Sequence, residues 1–150
     1  MDKNVIISLK GIQNGDGNDP IELVTVGKYH YKDNKHFITY EESEMTGMKG
    51  TTTTLTVEGD KVTLMRTGSN NTQLIFEKGQ RHVNCYETPY GSLSVGVRAN
   101  NVQVSLGEEG GEISAKYELE VNNSVAGFND FYMKFTPATL VTENFDIRTN

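Results

Sequence analysis

The sequence predicts an all-β fold, a closed antiparallel up-and-down barrel of about 8–11 strands. Val, Ile and Thr together number 37 of the 150 residues, whereas Ala and Leu together number only 13. β-branched residues suit a pleated strand better than a helix. Turn-forming residues recur about every 8–12 positions, a spacing typical of a barrel or a sandwich. A helical bundle and a doubly wound α/β fold are therefore excluded, and a β-sandwich is the second choice.

The links between the predicted strands favour a barrel over an open sheet. Almost all of them are of hairpin length, and none is long enough to hold a crossover helix. A sequential meander has exposed edges unless it closes on itself. We therefore expect the last strand to meet the first.

Each strand is recognised as a run of β-branched or alternating residues between two turn signals. Val5-Ile6-Ile7 is apolar on both faces, so the first strand is predicted to be covered on both sides. Asn100-Asn101 is predicted to form a two-residue turn, because Asn tolerates positive φ. The predicted strands span residues 4–13, 21–31, 36–42, 51–57, 62–67, 73–77, 81–88, 93–99, 102–106, 113–121 and 127–135.

The chain is predicted to form one domain followed by a short tail. Residues 1–136 make the barrel. Residues 137–150 follow a proline and show no sustained period, so we expect a C-terminal tail with one short element around Leu140 to Ile147.

Charge and targeting signals narrow the partners and the compartment. Twenty acidic residues against fourteen basic ones give a net charge of −6, which repels nucleic-acid backbones and anionic membrane surfaces. Cys85 is the single cysteine, so no internal disulfide forms, as expected in a reducing compartment. The sequence contains no secretory signal and no apolar run of about 18 residues. These features predict a cytoplasmic protein without nucleic-acid or membrane partners.

Two stretches of the chain carry a family resemblance. Residues 40–68 are YEESEMTGMKGTTTTLTVEGDKVTLMRTG, and residues 86–97 are YETPYGSLSVGV. Both resemble the YwiB-like family of small bacterial proteins, over roughly residues 4–135. The resemblance implies a calycin-like, lipocalin-type barrel in the bacterial cytoplasm. It implies no activity, because the family has no assigned function and no assigned catalytic or binding residues.

The candidate ligand-binding residues come from alternation and from one aromatic segment. Arg66 shares a face with Val62 and Leu64, and Glu42 shares a face with Ile38 and Tyr40. If both faces line the barrel, Arg66 and Glu42 meet inside it or at its mouth. They then form a structural ion pair, or Arg66 orients the headgroup of an anionic ligand. The other alternative is that Arg66 is a charge at a strand end that reaches solvent. The segment from Tyr86 to Tyr90 forms a lid, a contact site or a packed hairpin corner. The candidates are therefore Tyr40, Glu42, Arg66, Tyr86 and Tyr90.

The remaining reactive residues predict no chemistry. Glu41, Glu42 and Glu44 are expected to be solvated at a barrel rim. The three histidines lack metal-ligand spacing, and Cys85 is expected to be a small core residue on a face with Arg81 and Val83. We therefore expect no enzyme activity, no metal and no cofactor. The expected function is binding of a small, partly apolar molecule in or at the mouth of the barrel. The alternative is a protein–protein interaction module with a filled barrel. The sequence does not predict an oligomeric state.

Overall fold

The computed structural model describes residues 2–14, 21–42, 49–68, 71–107 and 110–138. Within these ranges the chain forms ten strands. They are β1 (Asp2–Asn14), β2 (Ile21–Lys32), β3 (Lys35–Glu41), β4 (Thr51–Glu58), β5 (Lys61–Gly68), β6 (Thr72–Glu77), β7 (Arg81–Thr88), β8 (Gly91–Gly107), β9 (Gly110–Val121) and β10 (Ser124–Pro137). The predicted tail element at residues 140–147 lies outside the described residues.

The ten strands form one nearly closed antiparallel barrel. Their order is β6-β5-β4-β3-β2-β1-β10-β9-β8-β7, so the first and last strands pair with each other. All described ladders are antiparallel. The fold class predicted from the sequence is therefore confirmed. In the described residues, the two strands at the ends of this order, β6 and β7, face each other without a backbone ladder; we call this junction the β6–β7 seam.

Two hairpins turn on residues that the sequence marks as turn formers. Asp33 and Asn34 have φ of 54° and 64°, and Asn122 and Asn123 have φ of 51° and 66°. Positive φ at both central residues matches the right-handed twist of the flanking strands. Asn122 strengthens its turn, because its side chain accepts a hydrogen bond from the backbone N–H of Ser94 at 3.0 Å.

The predicted turn at Asn100-Asn101 is wrong. The chain continues there as the single strand β8, and the ladder with β9 shifts register between Ala99 and Asn101. A β-bulge absorbs one extra residue without reversing the chain. The long partner strand β9 continues on both sides of the shift, so tertiary pairing overrides the local turn tendency. Two predicted strands are therefore one.

The predicted core position of Cys85 is also wrong. Cys85 is exposed, and Val83 on the same face is exposed too. Alternation correctly grouped these side chains, but their face of β7 points to solvent. The opposite face carries His82, Asn84 and Tyr86, which make hydrogen bonds to β6.

Inward-facing apolar side chains from most strands form one core. Ile7, Ile38, Leu55, Val62, Phe76, Val97, Ile113, Met133 and Phe135 are among its most buried members. They alternate along each strand with outward residues, as a barrel wall requires. The core therefore fills the middle of the described interior. No helix of the described residues has the length and apolar character needed to cross a membrane.

Candidate functional site

A row of polar side chains lies where β3 and β5 end and where β4 and β6 begin. Cross-strand pairing joins Tyr40 to Thr53, Thr53 to Arg66, and Arg66 to Thr72. All four alternate with outward residues, so they face the interior. Glu42, two residues after Tyr40, projects from the same side of the chain. We call Tyr40, Glu42, Thr53, Arg66 and Thr72 the polar cluster.

Glu42 is the buried acidic member of the polar cluster. Its side chain is 2% exposed, its carboxylate accepts a short hydrogen bond from the Thr53 hydroxyl, and its backbone N–H donates to the carbonyl of Thr51 at 2.8 Å. Glu41, the next residue, is exposed on the other face. The two described carboxylates of this segment therefore lie on opposite faces of the chain. The prediction that these glutamates are solvated at a rim is wrong for Glu42, which is buried, and Glu44 lies outside the described residues.

Tyr40 contacts both Glu42 and Thr53. Its phenol hydrogen-bonds to Glu42 and to Thr53. Burial raises the pKa of Tyr40 well above its ordinary value, the Glu42 carboxylate adds to the rise, and the Arg66 guanidinium opposes it. Tyr40 is therefore a protonated, neutral donor at physiological pH.

Arg66 provides the positive charge of the polar cluster. Its Nε lies 3.9 Å from Glu42 Oε2, and its side chain is 24% exposed. That distance gives an ion pair but is too long for a hydrogen bond. Nε of Arg66 and Oγ1 of Thr72 are both buried, and neither has a hydrogen-bond partner among the described groups. These two atoms belong to directly paired residues of β5 and β6.

Aromatic and aliphatic side chains surround the polar cluster. Phe76 packs against Tyr117 with ring centroids 4.7 Å apart, and against Phe131 at 6.4 Å. Burial raises the pKa of Tyr117, and the charge of Arg66 opposes that rise, which places Tyr117 within the field of the guanidinium. Leu64 and Leu74 complete this apolar wall.

The structure brings together three of the five predicted site residues, namely Tyr40, Glu42 and Arg66. Tyr86 lies at the β6–β7 seam, where its hydroxyl donates to the carbonyl of Gln73 at 2.6 Å and accepts from the Gln73 N–H at 2.8 Å. Tyr90 is in the β7–β8 turn and is fully exposed. The ligand-binding role assigned to all five stays a prediction.

Sequence reasoning missed Thr53, Thr72 and Tyr117 as parts of the site. Thr53 lies within a run of four threonines, and alternation with the apolar Leu55 was a usable signal for its inward face. Tyr117 likewise alternates with Ile113 and Ala115. Thr72 lies one residue before the predicted strand 73–77, so alternation gave it no face, and the register of β5 with β6 places it beside Arg66.

Two open grooves run along the sheet, and one of them borders the polar cluster. One, of about 680 Å³, includes Tyr40 and Glu42 in its lining together with Asn4, Val26, Lys28 and Thr52. The other, of about 470 Å³, lies beside Ser8, Lys10, Glu22, Val24 and Tyr132. The described residues contain no group of three or more His, Cys, Asp or Glu side chains that could hold a metal ion.

Comparison with known proteins agrees with this architecture. Residues 7–133 match the family described as domain of unknown function DUF1934. The chain belongs to the DUF1934 family. A curated relative, the uncharacterized β-barrel protein YwiB of Bacillus subtilis (strain 168), is 30% identical over 121 residues, which cover 79% of this chain and 83% of YwiB.

The YwiB crystal structure from Bacillus subtilis superposes with a TM-score of 0.78 at 25% identity. The match covers 91% of this chain and 92% of that one. The resemblance to the YwiB-like family is therefore confirmed, and so is the β-barrel that it implies. Neither comparison names a ligand or an activity for the DUF1934 family.

Proposed function

We propose that this DUF1934 protein binds a small, partly apolar molecule at the end of the barrel that holds the polar cluster. The observation that carries the proposal is the inward-facing Arg66 side chain, which is 24% exposed and lies 3.9 Å from the buried Glu42 carboxylate. A charged group set among apolar side chains can orient the polar end of a small ligand. Arg66 Nε and Thr72 Oγ1 have no partner among the described groups, but both atoms are closed to solvent, so a ligand would reach them only after neighbouring side chains move.

The surroundings support a site at the mouth rather than in the middle of the barrel. The middle is occupied by large buried side chains such as Ile7, Leu55 and Phe135. Near the polar cluster, by contrast, Arg66 is partly exposed, and Leu74 and Tyr117 are only partly buried. A few convergent polar groups set in an apolar wall are typical of small-molecule sites.

The proposal is one of binding without chemistry, in the cytoplasm. Glu42 is occupied by Thr53 and Tyr40, and the exposed Cys85 lies on the outer face of β7, away from the polar cluster. The net charge of −6 disfavours nucleic acid and anionic membranes as partners. These features support a small-molecule binder, and no cofactor is proposed.

Native mass spectrometry of the freshly purified protein tests the proposal. We expect a bound small molecule on the wild type and its loss in Arg66→Met. Lys61→Met is the matched control, because it removes a cation from the other end of the same strand and should keep the molecule. If the wild type carries nothing, and small amphiphiles shift no amide resonance in β3 to β6, the proposal is wrong.

A second candidate is a protein–protein interaction module, and the outer face of β2 favours it. Val24 and Val26 are 69% and 61% exposed, and the two open grooves flank them. A photo-crosslinking amino acid at position 26 should then give one discrete heavier product in cells, absent when it is placed at Lys61. A uniform absence of products would leave the outer face without a function.

A further inference from the structure

We infer that a second copy of this chain packs against the outer face of β2, so that the protein forms a two-fold symmetric dimer. The inference is independent of the ligand proposed for the polar cluster. It names a partner for the second candidate function, the interaction module, and rests on that candidate only for the choice of surface.

The outer face of β2 carries an apolar strip that one copy leaves open. Val24 and Val26 are largely exposed, and no part of the described chain packs over them. On β1, Ile6 is the direct partner of Val26 and is half-buried on the same outer face, whereas its neighbours Val5 and Ile7 are buried in the core. The apolar run that predicts a first strand covered on both sides is therefore only partly covered within one copy. Removing this strip from water favours association.

The charges around the strip suit a second acidic copy. Each copy carries a net charge of −6, so two copies repel each other over most of their surfaces. The exposed charged side chains that line the two grooves beside the valines are balanced, namely Lys10, Lys28, Glu22 and Glu41. The outer face of β2 is therefore a place where two copies meet without a net charge between them.

The order of side chains along β2 selects one arrangement of the two copies. Four alternating residues share its outer face, namely Glu22, Val24, Val26 and Lys28. A two-fold axis that crosses β2 at right angles beside Thr25 runs the facing strands antiparallel. It places Val24 over Val26 of the other copy, and Glu22 over Lys28 of the other copy. An axis along the strand would instead oppose like charges, so only the first contact is self-complementary, as a two-fold interface requires.

Both charged side chains at the ends of the strip are available to the other copy. Lys28 is exposed and forms no ion pair with another described residue. Glu22 is loosely paired with Lys10, at 3.7 Å, and its side chain is 67% exposed. Exposed ion pairs add little affinity by themselves. The apolar strip therefore supplies the attraction, and the charges determine how the two copies are oriented.

Sedimentation equilibrium of the purified protein tests for the dimer. We expect the average mass to rise from that of one copy, 16.7 kDa, towards twice that value as the concentration increases from about 10 µM to about 1 mM, the range of a small reversible interface. Val26→Asp should raise the dissociation constant at least about tenfold, because it places a carboxylate within the apolar strip. Met65→Asp, at an exposed outward position of β5, is the matched control and should leave the constant unchanged.

A charge exchange tests the orientation of the two copies. Glu22→Lys and Lys28→Glu should each weaken self-association at least about tenfold, because each substitution opposes like charges. An equimolar mixture of these two variants should recover the wild-type affinity, since every facing pair is then of opposite charge. Glu58→Lys is the control, because it breaks a similar exposed ion pair, with Lys35, away from β2 and should keep the wild-type dissociation constant.

Three results would overturn the inference. The first is a wild-type chain that stays monomeric up to about 1 mM. The second is a dimer that Val26→Asp leaves intact, or folded charge variants whose mixture stays dissociated. The third is a crosslink from position 26 to a different protein while the purified chain is monomeric, which would keep the interaction module but not the second copy. If a charge variant does not fold, the wild-type concentration series and Val26→Asp decide. The ligand measurements on Arg66→Met do not depend on any of these results, so the two proposals fail separately.

Discussion

Tyr40 illustrates how one side chain connects the core to the site. Its ring is buried among apolar residues, while its hydroxyl contacts Glu42 and Thr53. Burial raises the pKa of this phenol first, the nearby carboxylate raises it further, and Arg66 acts in the opposite sense. The folded protein therefore keeps a proton on Tyr40 at a pH where the unfolded chain loses it.

This pKa shift predicts a loss of stability in alkali. An unfolded tyrosine titrates at about pH 10. Because the folded pKa of Tyr40 is higher, its contribution is fully present below about pH 10 and is lost as the pH rises further, at about 1.4 kcal/mol per pH unit. The pKa of Tyr117 is raised by burial as well and adds to the slope.

Urea unfolding between about pH 8 and 11.5 measures this slope. Tyr40→Phe should reduce the alkaline decrease in the free energy of unfolding by the contribution of one titrating proton, about 1.4 kcal/mol per pH unit. The remaining decrease should come from Tyr117. An unchanged slope in Tyr40→Phe would show that Tyr40 is not the titrating group.

At the scale of the strands, the β6–β7 seam is closed by side chains instead of a backbone ladder. Three inward side chains of β7, those of His82, Asn84 and Tyr86, reach across to β6. His82 lies 3.0 Å from a carboxylate oxygen of Glu77, and the Asn84 amide donates to the Gln73 carbonyl at 2.9 Å. The Tyr86 hydroxyl bridges both backbone groups of Gln73. These contacts cover an edge that would otherwise offer free N–H and C=O groups.

Tyr86→Phe tests this closure because it removes only the bridging hydroxyl. We expect the Gln73 amide to exchange with solvent at least about tenfold faster, and the free energy of unfolding to fall by about 1–2 kcal/mol. Tyr132→Phe is the control, since its hydroxyl donates to Glu112 at 2.9 Å on the exposed outer face. That variant should change stability by less than about 0.5 kcal/mol. Equal effects of the two substitutions would mean that the seam does not depend on Tyr86.

The strands show where sequence reasoning succeeds and where it stops. Period-two alternation located the strands to within about three residues, and it correctly joined Arg66 to Val62 and Leu64. Alternation does not say which face is inside, so Cys85 was assigned to the wrong one. Nor does a turn-forming pair dictate a turn, because pairing with β9 keeps Asn100-Asn101 within β8.

At the scale of the whole molecule, closure of the barrel determines where the sheet is broken, which the sequence alone does not predict. The meeting of β1 with β10 followed from the general need to remove sheet edges. The position of the break between β6 and β7 depends on how ten twisted strands fit around one core, which no local pattern encodes. The pairing of Arg66 with Thr72 is by contrast local, because β5 and β6 are consecutive antiparallel strands.

Neighbouring strands approach one another closely around the filled interior, and a substitution at Gly27 tests this packing. Gly27 of β2 is buried at the level of Val5 and Tyr40, its partners on β1 and β3. A Cβ there would collide with the carbonyl oxygen of Thr39 and with the side chain of Ile7. Gly27→Ala should therefore lower the free energy of unfolding by about 1–3 kcal/mol, as overpacking does in other cores.

Gly11→Ala is the matched control on the adjacent strand β1. A Cβ at Gly11 meets nothing within 4 Å. Since alanine restricts the unfolded chain, this variant should gain about 0.4–1 kcal/mol. Urea titrations of both variants measure the difference, which has opposite signs at the two sites. If Gly27→Ala were as stable as Gly11→Ala, β1, β2 and β3 would not pack as closely as described, and the rigid wall that holds Tyr40 and Glu42 in place would have to be looser.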